Sequence, residues 1–263
     1  MSCVVVKVGG HALDSLQSDA PILVDLASDI VEIHNSGVNV VVVHGGGPQI
    51  ATLLNDVGLE SVFQDGLRIT DKRTMGYVAM ALSHVNVRMV AALNHAGLAS
   101  VGLSGVDAQL LNSESVGAPF DRVGFSPRVK RDVIDTLWNA KLTPVVCPFL
   151  ADGDGDLLNC NADAAAGALA GALGAKVLVL LSDVDRLRTD PDDPTSVISR
   201  VTAAQIEEMK RSGAVRDGMR PKMSAALHAL EGGAHRILMV NGTRSHALRG
   251  ALAGSIPTTE VVR

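Results

Sequence analysis

Lys222 follows Arg216-Asp217-Gly218-Met219-Arg220-Pro221 at a point where a helix should begin, and a cation there opposes the helix macrodipole. A role in chemistry accounts for that placement better than stability does. Pro221 suits the first helical turn, and the apolar residues Met223, Ala226, Leu227 and Leu230 recur at helical spacing until Gly232-Gly233 stops the run. A helix start that also carries a lysine attracts anions. Two more turns point the same way, since Lys7-Val8-Gly9-Gly10 and His44-Gly45-Gly46-Gly47-Pro48 each end an apolar run. Glycine has no Cβ, so Gly9, Gly10, Gly45 and Gly46 let backbone N–H groups come close to a phosphate. Either turn alone fits a plain tight turn equally well; the pair, one of them preceded by a strand-borne lysine, favours an anion site. Neither has the Gly-x-x-x-x-Gly-Lys-Ser/Thr spacing of a P-loop or the Gly-x-Gly-x-x-Gly spacing of a dinucleotide site.

Other polar residues cluster at the ends of apolar runs. In Asn159-Cys160-Asn161-Ala162-Asp163, Asn161 is a good N-cap and Asp163 a good first-turn acid, so capping and chemistry explain those two equally well. Asn159 has no such structural reason. The preceding Asp152-Gly-Asp154-Gly-Asp156 imitates a calcium loop, but Leu157 stands where glycine is required, which makes it a solvated hairpin turn. Arg68, in Gly66-Leu67-Arg68-Ile69-Thr70-Asp71, ends a short strand before a helix capped by Thr70 or Asp71. Its planar fork suits a carboxylate, although a lone arginine is also a common surface charge. Leu181-Ser182-Asp183-Val184-Asp185 closes another strand with an acid that orients a lysine or a ribose, or else caps a turn. His11 and His44 lie near the glycine turns without a carboxylate or cysteine at ligand spacing, so they read as structural or substrate-lining, and no metal site is expected.

Short β-branched runs at 3–8, 38–43, 98–103, 143–147, 176–181 and 236–240 are predicted strands. Between them, amphipathic helices are predicted over 20–35, 48–57, 72–96, 131–140, 162–173 and 221–230. Alternation of this kind implies an α/β fold, an open αβα sandwich around a mainly parallel sheet. Residues 61–69 and 117–129 read as short hairpins, and 153–159 as a turn-rich excursion. The topology suggests two lobes, 1–174 and 175–263. At 263 residues and 47% hydrophobic content the chain can bury a full core. A net charge of -5 and 2% aromatic residues speak against a general nucleic-acid binder. Cys3, Cys147 and Cys160 match neither a zinc pattern nor a disulfide framework, which together with the lack of a basic leader gives an expectation of a reducing cytoplasm. No continuous apolar stretch reaches the roughly 20 residues of a membrane helix.

Taken in order, Lys7-Val-Gly-Gly, His44-Gly-Gly-Gly-Pro, Gly66-Leu-Arg-Ile-Thr-Asp, Gly102-Leu-Ser-Gly, Asn159-x-Asn-Ala-Asp, Leu181-Ser-Asp-Val and Asp217-Gly-Met-x-x-Lys resemble the amino acid kinase superfamily, and within it the acetylglutamate kinases. The resemblance spans nearly the whole chain. It implies transfer of the ATP γ-phosphoryl group to the side-chain carboxylate of N-acetyl-L-glutamate, a step of arginine or ornithine biosynthesis, with ATP and Mg²⁺ as cofactors. By the same resemblance Lys7 and Lys222 stabilise the transferring group, Asp163 holds both lysines, and the turns at Gly9, Gly10, Gly45 and Gly46 meet phosphate. Gly46, Gly47, Arg68 and Asn159 bind the acceptor, and Ser182, Asp183, Ala214 and Val215 bind ATP. His11, Val87, Arg186 and Pro257 depart from the family pattern. The chain opens at its first strand, without the N-terminal helix of arginine-inhibited hexameric relatives, so the expectation is an arginine-insensitive homodimer. Rival expectations are a kinase for carrier-bound aminoadipate or glutamate, and a non-catalytic amino-acid sensor of the same fold.

Overall fold

The computed structural model describes residues 2–9, 13, 20–183, 185–190, 192–193, 195–213 and 219–263. Its centre is one sheet whose strands, in chain order, are β1 (Cys3–Val8), β2 (Asn39–His44), β3 (Ser100–Ser104), β4 (Thr143–Cys147), β5 (Val177–Ser182), β6 (Arg200–Thr202), β7 (Ile237–Asn241) and β8 (Thr258–Val262). They lie in the order β6-β8-β7-β5-β1-β2-β4-β3. Pairing is parallel from β7 through to β3, and only β8 runs antiparallel to β7, with β6 parallel to β8. The helices are α1 (Pro21–Asn35), α2 (Gly47–Asp56), α3 (Lys72–His95), α4 (Asp132–Asn139), α5 (Ala162–Ala172), α6 (Ala203–Ser212), α7 (Met219–Gly232) and α8 (Ala247–Ala253).

Strand alternation sorts the side chains onto two faces. Val5, Val41, Val43, Leu178 and Leu180 pack with Ala166 and Leu169 of α5 and with Met223 and Leu230 of α7. Val4, Val6, Val8, Val40 and Val42 pack on the other face, with Leu26 and Ile30 of α1 and Val85 and Met89 of α3. Lys7 follows the parity of Val5 and pairs in register with Val43 and Leu180, so it points toward α5 and α7. His44 follows Val40 and Val42, pairs with Val8, and points toward α3. The sheet's carboxyl edge thus offers different chemistry on its two faces.

Three of the predicted inner strands, 38–43, 176–181 and 236–240, begin and end one residue later than the apolar runs that betray them, and 98–103 is found at Ser100–Ser104. The hairpins are present, as Phe63–Gln64 with Leu67–Arg68 and as part of a side sheet that includes Ser115–Gly117, Asp121–Gly124, Phe149–Ala151 and Leu157–Cys160. In the Asp152 turn the carboxylate accepts from the N–H groups of Asp154 and Asp156, as a solvated hairpin turn should. Helix α3 is long and apolar enough by composition to cross a membrane, yet its Val78, Leu82, Val85, Met89 and Leu93 stripe is buried in the core. Asp71, not Thr70, caps it, by accepting from Thr74 N–H at 2.6 Å.

Helices α5 and α7 touch backbone to backbone. A Cβ at Gly167 would meet the Ala225 carbonyl oxygen at 2.6 Å, and one at Gly232 would meet Gly171 Cα at 2.9 Å. The alanine-rich face of α5 permits this approach, and it places the first turns of the two helices together. Gly167→Ala is therefore expected to lower stability by about 1–3 kcal/mol by overpacking, although alanine is the better helix former. Urea unfolding measures this, and a raised midpoint would show that the helices can separate freely.

Candidate active site

Asp163 is in the first turn of α5, where Asn161 caps the helix by accepting from the N–H groups of Asp163 and Ala164. The Lys7 ammonium lies 2.8 Å from Asp163 Oδ1, and the Lys222 ammonium lies 3.5 Å from Oδ2. Asp163 is 4% exposed and Lys7 6%, so that pair is nearly dry, while Lys222 at 17% reaches the cluster from its more open side. Burial pushes the Asp163 carboxyl up, but the charges of Lys7 and Lys222 outweigh it and hold the group below the usual carboxylate value. The positive end of α5 acts in the same sense. Two cations held by one anion leave a net positive charge for a ligand.

Beside this cluster is a cavity of about 260 Å³ lined by Lys7, Gly45, Gly46, Gly47, Arg68, Asn159 and Asp163, together with apolar residues such as Leu82 and Val123. The hairpin brings Arg68 in. Its guanidinium donates to Ser61 Oγ and, at 3.3 Å, to the Gly47 carbonyl, and it lies 4.5 Å from the centre of the Phe63 ring. Burial lowers its pKa to about 10, so it stays charged at neutral pH. A buried guanidinium whose hydrogen bonds here go to neutral acceptors suits a ligand carboxylate. Asn159 donates to Thr70 Oγ1 at 3.3 Å, and Thr70 in turn donates to the Arg68 carbonyl at 2.8 Å. One short relay therefore braces both candidate acceptor contacts.

The glycine turns divide. Gly9 N–H donates to the Leu181 carbonyl at 3.0 Å and Gly45 N–H to the Val8 carbonyl at 2.8 Å, which takes both out of the set of donors free to meet phosphate. Gly9 has a steric role instead, because a Cβ there would lie 2.8 Å from Leu181 O. Gly46 caps α2, whose first N–H groups lack helical partners, so the donors for an anion come from Gly46 and Gly47. Gly10, Ala214, Val215 and the segment Asp217-Gly218 lie outside the described residues. Ser182 ends β5 and is buried, while Asp183 is exposed; neither lines the cavity.

A larger cavity of about 460 Å³ adjoins the first at Leu67 and Asn161 and runs along Pro221, Ser224 and His228 of α7. The smaller one holds Lys7, Arg68 and Asp163, which makes it the candidate site of chemistry. The Asp163 oxygens both face ammonium groups, and among the described residues no group of three or more His, Cys, Asp or Glu comes together to hold a metal. Sequence reasoning missed Ser61 and Phe63 as supports of Arg68, and it missed Asn86, which hydrogen-bonds His44. The signal for Asn86 was a polar residue at an inward position of α3; Ser61 and Phe63 carry no such signal.

The model of the amino acid kinase family matches residues 2–241. Acetylglutamate kinase of Archaeoglobus fulgidus is 38% identical over 93% of this chain and 87% of its own length. The acetylglutamate kinase of Methanopyrus kandleri is 39% identical over 95% and 97%. Among solved structures, smu.665 from Streptococcus mutans aligns with a TM-score of 0.80 at 26% identity, covering 91% of this chain and 94% of that one. Carbamate kinase from Giardia lamblia shares the fold, with a TM-score of 0.69 at 19% identity over 100% and 98%.

Because the folded pKa of Asp163 is depressed, the stability it contributes is present above the ordinary carboxylate pKa and is lost as pH falls through the folded value. Asp163→Asn leaves buried Lys7 and half-buried Lys222 without their anion and is expected to cost about 3–5 kcal/mol at pH 7. That gap should begin to narrow as the pH falls below the ordinary carboxylate value. Burial also pushes His44 down to about 4, but His44 is present in both proteins and cancels in the difference. Denaturant unfolding from pH 7 to 3 checks this, and a constant gap would place the effect elsewhere.

Proposed function

The chain belongs to the amino acid kinase family, among the acetylglutamate kinases, and from this we propose that it transfers the γ-phosphoryl group of ATP to the side-chain carboxylate of N-acetyl-L-glutamate, in arginine biosynthesis. The observation that carries the proposal is Asp163 between Lys7 at 2.8 Å and Lys222 at 3.5 Å, beside a cavity that contains Arg68. Phosphoryl transfer asks little covalent chemistry of a protein; it needs alignment of the two substrates and neutralisation of the oxygens of the group in flight. In this reading Lys7 approaches that group from the sheet and Lys222 from α7. Asp163 fixes the spacing of the two ammonium groups without touching the phosphate. Gly46 and Gly47 N–H groups meet the same oxygens, with Gly10 assisting. Arg68 grips the α-carboxylate and Asn159 the amide region of the acceptor. Residues 1–174 form the acceptor lobe and 175–263 the nucleotide lobe, with ATP held near Ser182, Asp183, Ala214 and Val215. Mg²⁺, when bound, would neutralise phosphate charge and would be held chiefly by the nucleotide's own oxygens.

The setting we propose is cytoplasmic, supported by three free buried cysteines, of which Cys147 and Cys160 are pushed up to about 12 by burial and so are unreactive as thiols. A homodimer is proposed as well. Its support is a pair of exposed large apolar side chains on α3, Met80 and Val87, two turns apart at 63% and 65% exposure. Sedimentation should give twice the chain mass for the wild type and a monomer for Val87→Glu; a monomeric wild type ends that part of the reading.

ADP release with hydroxylamine trapping of the acyl phosphate tests the reaction over N-acetylglutamate, glutamate, aspartate and N-acetyl-aminoadipate. N-Acetylglutamate is expected to be the preferred acceptor. Lys222→Ala should lose roughly 10²–10³-fold in kcat with little change in substrate affinity, and Arg68→Ala should chiefly raise KM for the acceptor. No turnover with any acceptor removes the kinase reading, and preference for the aminoadipate compound moves it to a related kinase.

A further inference from the structure

His44 ends β2 immediately before the glycine turn, is fully buried, and lies on the α3 face, behind the loop as seen from the cavity. Its hydrogen bonds define its protonation. The Val145 carbonyl can only accept, so the Asn86 atom 2.9 Å from it is the Nδ2 donor. The same Nδ2 lies 3.1 Å from His44 Nε2, which must therefore accept. The ring proton is then on Nδ1, and it is donated to the Gly45 carbonyl at 2.8 Å. The slot for the Asn86 amide exists because residue 102 is glycine, since a Cβ there would fall 2.0 Å from Asn86 Oδ1.

The relay acts on the most pliable stretch of the site. Three successive glycines have broad conformational freedom, yet donors that stabilise a transition state must be fixed beforehand. Gly45 N–H is held by Val8, the Gly46 carbonyl accepts from Ile50 N–H at 2.9 Å, and the Gly45 carbonyl is held by His44. In a trans peptide the carbonyl of one residue and the N–H of the next point in opposite directions. Holding the Gly45 carbonyl on the buried ring thus turns the Gly46 N–H toward the cavity that Gly45, Gly46 and Gly47 line.

We propose that His44 and Asn86 are positioning residues for phosphoryl transfer, their relay to the Gly45 carbonyl aiming the Gly46 N–H at the oxygens of the group in flight. The proposal rests on the kinase reading above. Neither side chain touches substrate, and neither gains or loses a proton in the reaction. The Gly45–Gly46 peptide is the part that acts.

Two substitutions separate positioning from mere packing. Asparagine at 44 keeps a donor near the Nδ1 position and drops the Nε2 acceptor, whereas glutamine keeps an acceptor near Nε2 and drops the donor to Gly45. His44→Gln is expected to lose roughly 10- to 100-fold in kcat with both KM values within about threefold, and His44→Asn to retain most of kcat at a similar loss of Tm. Equal kcat losses in the two variants, or losses that follow Tm alone, overturn the proposal. A wild type that phosphorylates no acceptor removes the kinase reading along with it, while an active wild type with matched variants removes this proposal only. Should either variant fail to fold, ¹⁵N spectra of the wild-type ring decide: a protonated Nδ1 and bare Nε2 across pH 5.5–8 support the assignment, and a bare Nδ1 overturns it.

Discussion

One buried carboxylate sets the terms for the rest of the structure. Asp163 is out of water with an ammonium group facing each oxygen, so its buried charge is compensated from two sides. The cluster needs a strand that delivers Lys7 to the α5 face, a helix start that delivers Asp163, and a second helix start that delivers Lys222. The first comes from strand parity, the second from the Asn161 cap, and the third from the glycine contacts between α5 and α7. Two lysines around one aspartate leave the cluster with a net positive charge at the edge of the cavity.

Much of this was legible in the residues themselves. The strand runs are nearly pure valine and leucine, as in β1, β2 and β5, and such runs leave little doubt about a doubly covered parallel sheet. Lys7, Arg68, Asn159 and Asp163 could be picked out because a polar residue at the end of a buried strand or the start of a buried helix needs a reason. Strands β6 and β8 and helices α6 and α8 were not legible. Helix α6 buries only Ile206 and is otherwise a polar surface helix, and α8 has seven residues rich in alanine and glycine. Their boundaries are set by tertiary contacts such as the antiparallel pairing of β8 with β7, which no local pattern announces.

The glycine turns show a different limit. Composition alone gives every glycine in them the same meaning, as a donor near phosphate, but the hydrogen bonds assign different tasks. Gly9 lets two strands approach, Gly45 is tied to Val8 and His44, and Gly46 begins α2. Which N–H is spent and which is available depends on peptide orientation, and glycine, having the widest choice of backbone angles, says least about it in advance.

The backbone contact between α5 and α7 has a mechanical meaning as well. Asp163 and Lys222 are carried by two rods whose axes cannot move closer, because Gly171 and Gly232 already meet with no side chain between them. The spacing of their helix starts is thus limited by a hard stop, and the Lys222 side chain spans what remains. Helix α5 in turn packs on Val5 and Leu178 of the sheet, so the stop also ties the helix of Lys222 to the strand layer that carries Lys7.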